Sequence, residues 1–332
     1  MALLRQLCII ASQLTVVLSS AGNIWTYKGS LGPEHWHLDY PHCGGIRQSP
    51  IDLQTRDVIV DQTYLSPLYF SGYDRVSNLD YTLENNGHTV QVGLNDKTMM
   101  ISGGGLGATF VAEQFHFHWG AVDERGSEHS LNGRHFPMEM HIVHYNKKYG
   151  NFSSSLNKTD GLAVLGFFFE IGRFNVHFEE IIEHFGDIQF KNQQVNIKSI
   201  PMIDLMPARL TNYYRYVGSL TTPPCYESVI WTIFNETIEI AEEQLEEFRT
   251  TIFENDRSEG GVSIDISDDY RPVQCMFRRR LYASHPSLKF DMATPRETGN
   301  GGVSNQSSRL LFFTCLIFLR LLLPIFSLKI AL

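Results

Sequence analysis

Two stretches constrain this chain more than any other feature: Gln114-Phe115-His116-Phe117-His118-Trp119-Gly120 and, shortly downstream, Pro137-Met138-Glu139-Met140-His141-Ile142-Val143-His144. Both read as β-strands. Successive side chains in a strand point to opposite faces, so Gln114, His116 and His118 share one face while Phe115, Phe117 and Trp119 take the other. The second stretch repeats the device, with Glu139, His141 and Val143 on one face. If the two strands are neighbours, three neutral imidazoles converge and leave one tetrahedral position open, which is the ligand set of a catalytic zinc site. Taken singly, each histidine reads better as a satisfied core residue; it is the trio that points to a metal. Polar residues repeated on the same faces are costly to bury unless they are hydrogen-bonded, and Gln114 and Glu139 suit the role of accepting the remaining ring N–H of a ligand histidine.

The surrounding words extend the pattern. Gly-Pro-Glu-His-Trp-His (32–37), Arg-Gln-Ser-Pro-Ile-Asp (47–52), Asn-Asn-Gly-His (85–88), Gly-Ser-Glu-His (126–129) and Gly-Ser-Leu-Thr-Thr-Pro-Pro (218–224) stand in this order around the histidine strands. Together they resemble the α-carbonic anhydrases, from about Trp25 to Ala283. The resemblance implies an α+β, β-dominated fold: a large twisted, mostly antiparallel central sheet with peripheral short helices and zinc at the base of a conical cleft. Strand candidates from the residues themselves are Tyr64 to Phe70, Tyr81 to Leu83, Thr89 to Val92, Thr109 to His118, Met138 to His144, Leu162 to Ile171 and Val229 to Phe234. Glu179 to Phe185 and Glu242 to Phe253 read as helices, the latter with Leu245, Phe248 and Ile252 at helical spacing.

No linker or composition break divides residues 22–285, so one catalytic domain is expected in a chain of 332 residues. The formal net charge is -9; setting aside Arg5, Arg309, Arg320 and Lys329 of the chain ends leaves 23 cations against 36 acids, a net -13. An acidic domain argues against nucleic acid as a partner.

Residues 1–21 begin with a single early cation, run apolar from Leu7 to Leu18 and finish in Ser19-Ser20-Ala21, the order of a signal peptide and too short an apolar run to span a bilayer. Residues 286–302 are expected to form a polar stalk and 303–332 a removed tail. Leu310 to Leu332 is apolar except for Arg320 and Lys329. A retained single-pass helix would put Arg320 near mid-bilayer, at a cost of about 2.5 to 3.5 kcal/mol. Small residues, a polar spacer and an apolar end instead match a GPI signal, with Asn300 the expected attachment site and the membrane, through that lipid, the expected partner. Asn151, Asn157 and Asn235 head glycosylation sequons, as does Asn305 within the tail. Outside the ends three cysteines remain, and the resemblance implies a Cys43–Cys225 disulfide bracing the loop that carries Thr221. Cys275 reads as a buried thiol, with an intermolecular bridge as the alternative.

Residue by residue, the resemblance makes His116, His118 and His141 the zinc ligands and gives Gln114 and Glu139 the ring N–H groups to accept. Zinc brings the pKa of its water towards neutrality, as three-histidine zinc sites generally do, supplying the hydroxide that attacks carbon dioxide to give bicarbonate and a proton. Thr221 corresponds to a threonine that accepts from this hydroxide and donates to a glutamate, Glu128, whose carboxylate only accepts and so sets the direction of the chain. Thr222 corresponds to a substrate or solvent contact. Val143, Val164, Leu220 and Trp231 match the apolar wall that holds carbon dioxide. His88 occupies the proton-shuttle position: direct loss of a proton from an acid of pKa about 7 to water is limited to about 10³ per second, from a recombination rate of about 10¹⁰ M⁻¹s⁻¹ and about 10⁻⁷ M. Tyr27 and Asn86 correspond to residues that order the connecting water, and Gln91 departs from the asparagine many members carry. His35, His37, His129 and His144 read as scaffold, and Arg278-Arg279-Arg280 as a solvated strand edge, with a binding patch as the alternative. The rival to an active enzyme is a catalytically silent carbonic anhydrase-like binding or adhesion domain, which would be expected to have lost a ligand histidine.

Overall fold

The computed structural model describes residues 24–259 and 262–289; the signal peptide, Asn300, Asn305 and the apolar tail expected from the sequence lie outside them. The first strands are β1 (Asp52–Leu53), β2 (Ile59–Val60), β3 (Leu68–Ser71), β4 (Tyr81–Asn85), β5 (Val90–Gly93), β6 (Met100–Gly103) and β7 (Phe110–Trp119). They are followed by β8 (Ser130–Leu131), β9 (Met138–Asn146), β10 (Leu162–Ile171), β11 (Gln193–Ile197), β12 (Tyr213–Gly218), β13 (Val229–Ile240) and β14 (Tyr282–Ala283). Twelve of them form one sheet in the order β11-β4-β5-β7-β9-β10-β13-β12-β14-β2, with β6 also on β7 and β3 on β6. All its pairings are antiparallel except β10 with β13 and β14 with β2. The β-dominated, mostly antiparallel architecture expected from the sequence is therefore what forms. Helices are short: α1 (Trp36–Asp39), α2 (Phe152–Ser155), α3 (Val176–Ile182) and α4 (Glu242–Thr251).

Alternation along β7 and β9 sorts side chains into two apolar clusters on opposite faces of the sheet. Phe115, Phe117, Trp119, Met138, Met140 and Ile142 join the larger cluster, and Val143 and Tyr145 the smaller. Helix α4 closes the larger one. Glu242 and Glu243 in its first turn complement the helix dipole, and the Gln244 side chain accepts from Ala241 N at 3.3 Å. Its Phe248 packs edge-on against Phe117 and Trp119, with centroids 5.3 and 5.2 Å away. Full burial of a side chain of this size contributes about 1.5–3 kcal/mol.

Several elements depart from their expected bounds. Tyr64 to Pro67 is not strand, because Asp61 folds it into a turn by accepting from Tyr64 N at 2.9 Å and Leu65 N at 2.9 Å, and Pro67 has no N–H for a ladder. β13 runs on past Phe234 to Ile240 because β10 continues beside it, Phe169 opposite Ile238 and Ile171 opposite Ile240. α3 starts at Val176, where the Asn175 side chain accepts from His177 N, and it ends before Phe185.

His144 is fully buried on β9. Its Nδ1 donates to the Ala163 carbonyl at 3.2 Å, its Nε2 meets the Tyr73 hydroxyl, and burial pushes its pKa down to about 4. Between pH 6.5 and 4 the unfolded chain therefore takes up a proton that the folded chain refuses. Stability must fall as pH falls through this window, by about 3 kcal/mol in full for a gap of this size, and the contribution is intact above it. Urea unfolding at pH 7 and pH 4.5 should show the drop, and His144→Gln should flatten it; an unchanged slope in the variant would assign the drop to other groups.

Candidate active site

β7 and β9 are neighbours, in a register that sets His116 opposite His141 and His118 opposite Glu139. The three imidazoles meet with ring centroids 4.8–5.2 Å apart, and one nitrogen from each lies within 4.8 Å of the others. The opposite ring nitrogens are all committed. His116 Nδ1 donates to Gln114 Oε1 at 2.9 Å, His118 Nδ1 to the Asp269 carbonyl at 2.7 Å, and His141 Nε2 to Glu139 Oε1 at 2.8 Å. Each bond fixes a tautomer, so in the neutral rings His116 Nε2, His118 Nε2 and His141 Nδ1 turn bare lone pairs towards a common centre.

Two buried atoms at that centre have no hydrogen-bond partner: His118 Nε2 and Glu128 Oε2, which stand 3.4 Å apart. Facing acceptors in a buried setting are unfavourable without a cation or proton between them. Burial pulls His118 down, but the Glu128 and Asp269 carboxylates and the bond to the Asp269 carbonyl hold its pKa above the ordinary value. His116 is held well below the usual range by burial and by the other two rings, and burial lowers His141 as well. Three imidazole lone pairs beside a carboxylate are a donor set that suits zinc. His129, Glu139 and His141 also cluster, but both ring nitrogens of His129 are spent, on Glu139 Oε1 and the Tyr216 hydroxyl at 2.7 Å each, so this is support for His141 and not a second metal group. Opposite His141 stands Gly166, where a Cβ would meet Ile233 Cδ1 at 2.6 Å and Glu139 Oε1 at 3.2 Å. A larger residue here would crowd Ile233 and press on the carboxylate that holds His141.

An apolar wall rises beside the histidines. Val143 pairs with Val164 across β9–β10, and Val164 with Trp231 across β10–β13, so the three line up in one row, with Leu220 packed against the same cluster. Trp231 is fixed by its Nε1, which donates to the Ser219 carbonyl at 3.0 Å.

Residues 31–285 match the family model of eukaryotic-type carbonic anhydrases. The chain belongs to that family. Human carbonic anhydrase 12 is 39% identical over 270 residues, covering 81% of this chain and 75% of that protein. Carbonic anhydrase 6 of Bos taurus is 35% identical over 289 residues, covering 85% and 88%, and that of Canis lupus familiaris 35% over 285, covering 84% and 86%. This carbonic anhydrase is thus an enzyme whose small-molecule substrates are carbon dioxide and bicarbonate, and the silent binding domain is set aside.

The remaining positions of this carbonic anhydrase are less uniform. Cys43 and Cys225 form the expected disulfide, beside a loop in which Cys225 N donates to the Thr222 carbonyl at 2.9 Å. Thr221 is buried and Thr222 half-buried in that loop. The expected Thr221–Glu128 hydrogen bond is not made among the described residues: Glu128 Oε1 accepts instead from Arg271 N at 2.9 Å, and Oε2 is the orphan described above. Asn86 Oδ1 accepts from His88 N at 2.9 Å and Thr89 N at 3.0 Å and so builds the turn that presents His88. The His88 ring lies flat on Trp25, with centroids 3.8 Å apart and planes 10° from parallel, and burial together with Lys191 pushes its pKa down to about 4. Tyr27 stands edge-on to Trp25 and Trp36, its hydroxyl held protonated by burial and by the Glu128 and Asp269 carboxylates. Gln91 turns to Glu84, its Nε2 donating to Glu84 Oε1. His35 and His37 are exposed. Cys275 is half-buried instead of buried, and its carbonyl accepts from Arg279 at 2.8 Å.

Asp269 and Arg271 are site residues for which the sequence carries no local signal. Asp269 binds His118 through its carbonyl and Arg271 binds Glu128 through its N–H, and backbone donors and acceptors have no side-chain signature.

Proposed function

We propose that this enzyme hydrates carbon dioxide with one zinc ion held by His116 Nε2, His118 Nε2 and His141 Nδ1, at the outer face of the cell membrane. The observation that carries the metal assignment is the pair of orphaned acceptors, His118 Nε2 and Glu128 Oε2, 3.4 Å apart in a fully buried setting. Zinc bound there supplies Lewis-acid chemistry that makes hydroxide available near neutral pH. The protein's share is orientation. Gln114, the Asp269 carbonyl and Glu139 lock the three rings, and His129 and Tyr216 lock Glu139 in turn. In the working arrangement Thr221 closes on Glu128, which is able only to accept and would take the Thr221 hydroxyl proton in a hydrogen bond, leaving the Thr221 oxygen free to accept from the nucleophile and aim its lone pair. Val143, Val164, Leu220 and Trp231 hold the apolar substrate next to it, and Thr222 contacts substrate or solvent. His88 carries the product proton outward over water ordered near Tyr27. At a pKa of about 4 the stacked ring holds that proton poorly, so the working position is one in which the ring has left Trp25.

Chelation should abolish hydration measured by stopped flow, and zinc should restore it; activity that persists in metal-free protein would overturn the zinc reading. The leader at residues 1–21, the disulfide and the exposed sequon residues Asn151, Asn157 and Asn235 support an extracellular place. The tail supports a GPI anchor at Asn300, a single-pass helix being the alternative; among the described residues no helix is long and apolar enough to cross a membrane. Phosphatidylinositol-specific phospholipase C should release the chain from intact cells, and a chain retained through Leu332 would favour the helix.

A further inference from the structure

The three consecutive arginines separate in the structure. Arg279 turns inward: its guanidinium lies 5.5 Å from the centroid of the Tyr216 ring, and it donates to the carbonyls of Cys275 at 2.8 Å, Met276 at 3.2 Å and Val217 at 3.2 Å. Arg279 N also donates to the Met276 carbonyl at 3.1 Å, closing a turn with Phe277 and Arg278 at its tip. Arg278 and Arg280 are exposed, and neither makes an ion pair or side-chain hydrogen bond among the described residues. The carboxylate that acts on the inward-turned Arg279, Glu227, is taken up by Arg47 and Gln48.

Phe277 itself is 52% exposed and left-handed, at φ 49°. A bulky side chain is disfavoured there twice, by the backbone and by water, where glycine or asparagine would form the turn without either cost. Two partly exposed apolar residues belong to the neighbouring segments: Arg279 binds the carbonyl of Val217, and β2, which carries Ile59, pairs with β14 just after Arg280. An unpaired basic pair around an exposed aromatic ring is thus set in a domain whose net charge is strongly acidic.

We propose that this tip is a membrane-contact element, in which the Phe277 ring enters the headgroup layer and Arg278 and Arg280 bind lipid phosphates. The proposal rests on the anchored reading above. Arginine forks match phosphate oxygens, and aromatic rings settle at the interface. Location favours lipid over other polyanions. Two residues after Arg280 the chain forms β14, and it leaves the described region at Lys289, 11 residues before Asn300, the proposed attachment site. Such a length can reach about 40 Å when extended, so the tether alone leaves the domain's orientation free. A basic, aromatic tip near the tether's root fixes which face meets the bilayer.

The test uses the full chain reconstituted in phosphatidylcholine vesicles, with and without phosphatidylserine, and the same chain in non-ionic detergent. Phenylglyoxal modification of Arg278 and Arg280 is read by mass spectrometry. Labelling is expected to be slower on vesicles by about fivefold or more, with further slowing by phosphatidylserine. Equal labelling of a chain that floats with the vesicles overturns the proposal. A chain that does not float overturns the anchored reading, and the proposal with it. Protection of the same size by heparin or inorganic phosphate in detergent would make the tip a soluble-polyanion site and overturn the lipid assignment. Phe277→Gly keeps both arginines as reporters: it should lose most of the vesicle protection while its melting temperature stays level or rises, and full protection in this variant would overturn the role given to the ring.

Discussion

Replacing His141 with alanine should take zinc content from one per chain to near none and lower carbon dioxide hydration together with it. Removing a partner that merely orients a ligand histidine typically costs 10–100-fold in affinity or activity, so loss of a ligand should cost on the order of 10²-fold or more. The substitution also leaves the fully buried Glu139 with one fewer donor, His129 alone. Metal analysis and stopped-flow hydration on the same preparation decide the matter. A variant that loses zinc but keeps its activity, or keeps zinc with full activity, would remove His141 from the ligand set.

His88→Ala should depress kcat towards the direct-transfer limit of about 10³ per second and leave kcat/KM nearly unchanged, because proton release follows the chemical step. Imidazole in the buffer should restore part of the rate. The stacked ring sharpens this expectation. Since burial against Trp25 and the charge of Lys191 push the His88 pKa down to about 4, the titration that controls proton transfer belongs to the unstacked ring, nearer the ordinary imidazole value. Equal loss in both kinetic constants, with no buffer rescue, would show that His88 plays another part.

Much of the site was legible in the chain because strand alternation is a local property. His116 and His118 share a face with Gln114, and His141 with Glu139, whatever lies around them, and the words around Glu128 and Thr221 carry the family. Six of the seven strands expected from the sequence form, only Leu68 to Phe70 of the seventh is strand, and helix α4 was readable from Leu245, Phe248 and Ile252. The shorter strands β6 and β11, and β12 with its Tyr-Tyr-Arg-Tyr run, gave no clear alternation and emerge only through their partners.

What tertiary structure decided is the state of each group. The tautomer of His118 is set by a carbonyl 151 residues away, and the orientation of Glu128 by a backbone N–H 143 residues away. His129, a scaffold residue in the sequence, becomes the second donor to Glu139. His88 lies stacked, and Thr221 has not closed on Glu128. Sequence determined which side chains point the same way, since that follows from a two-residue period. Protonation, tautomer and partner depend on charges and donors brought together through space by the sheet order, and no local pattern encodes them.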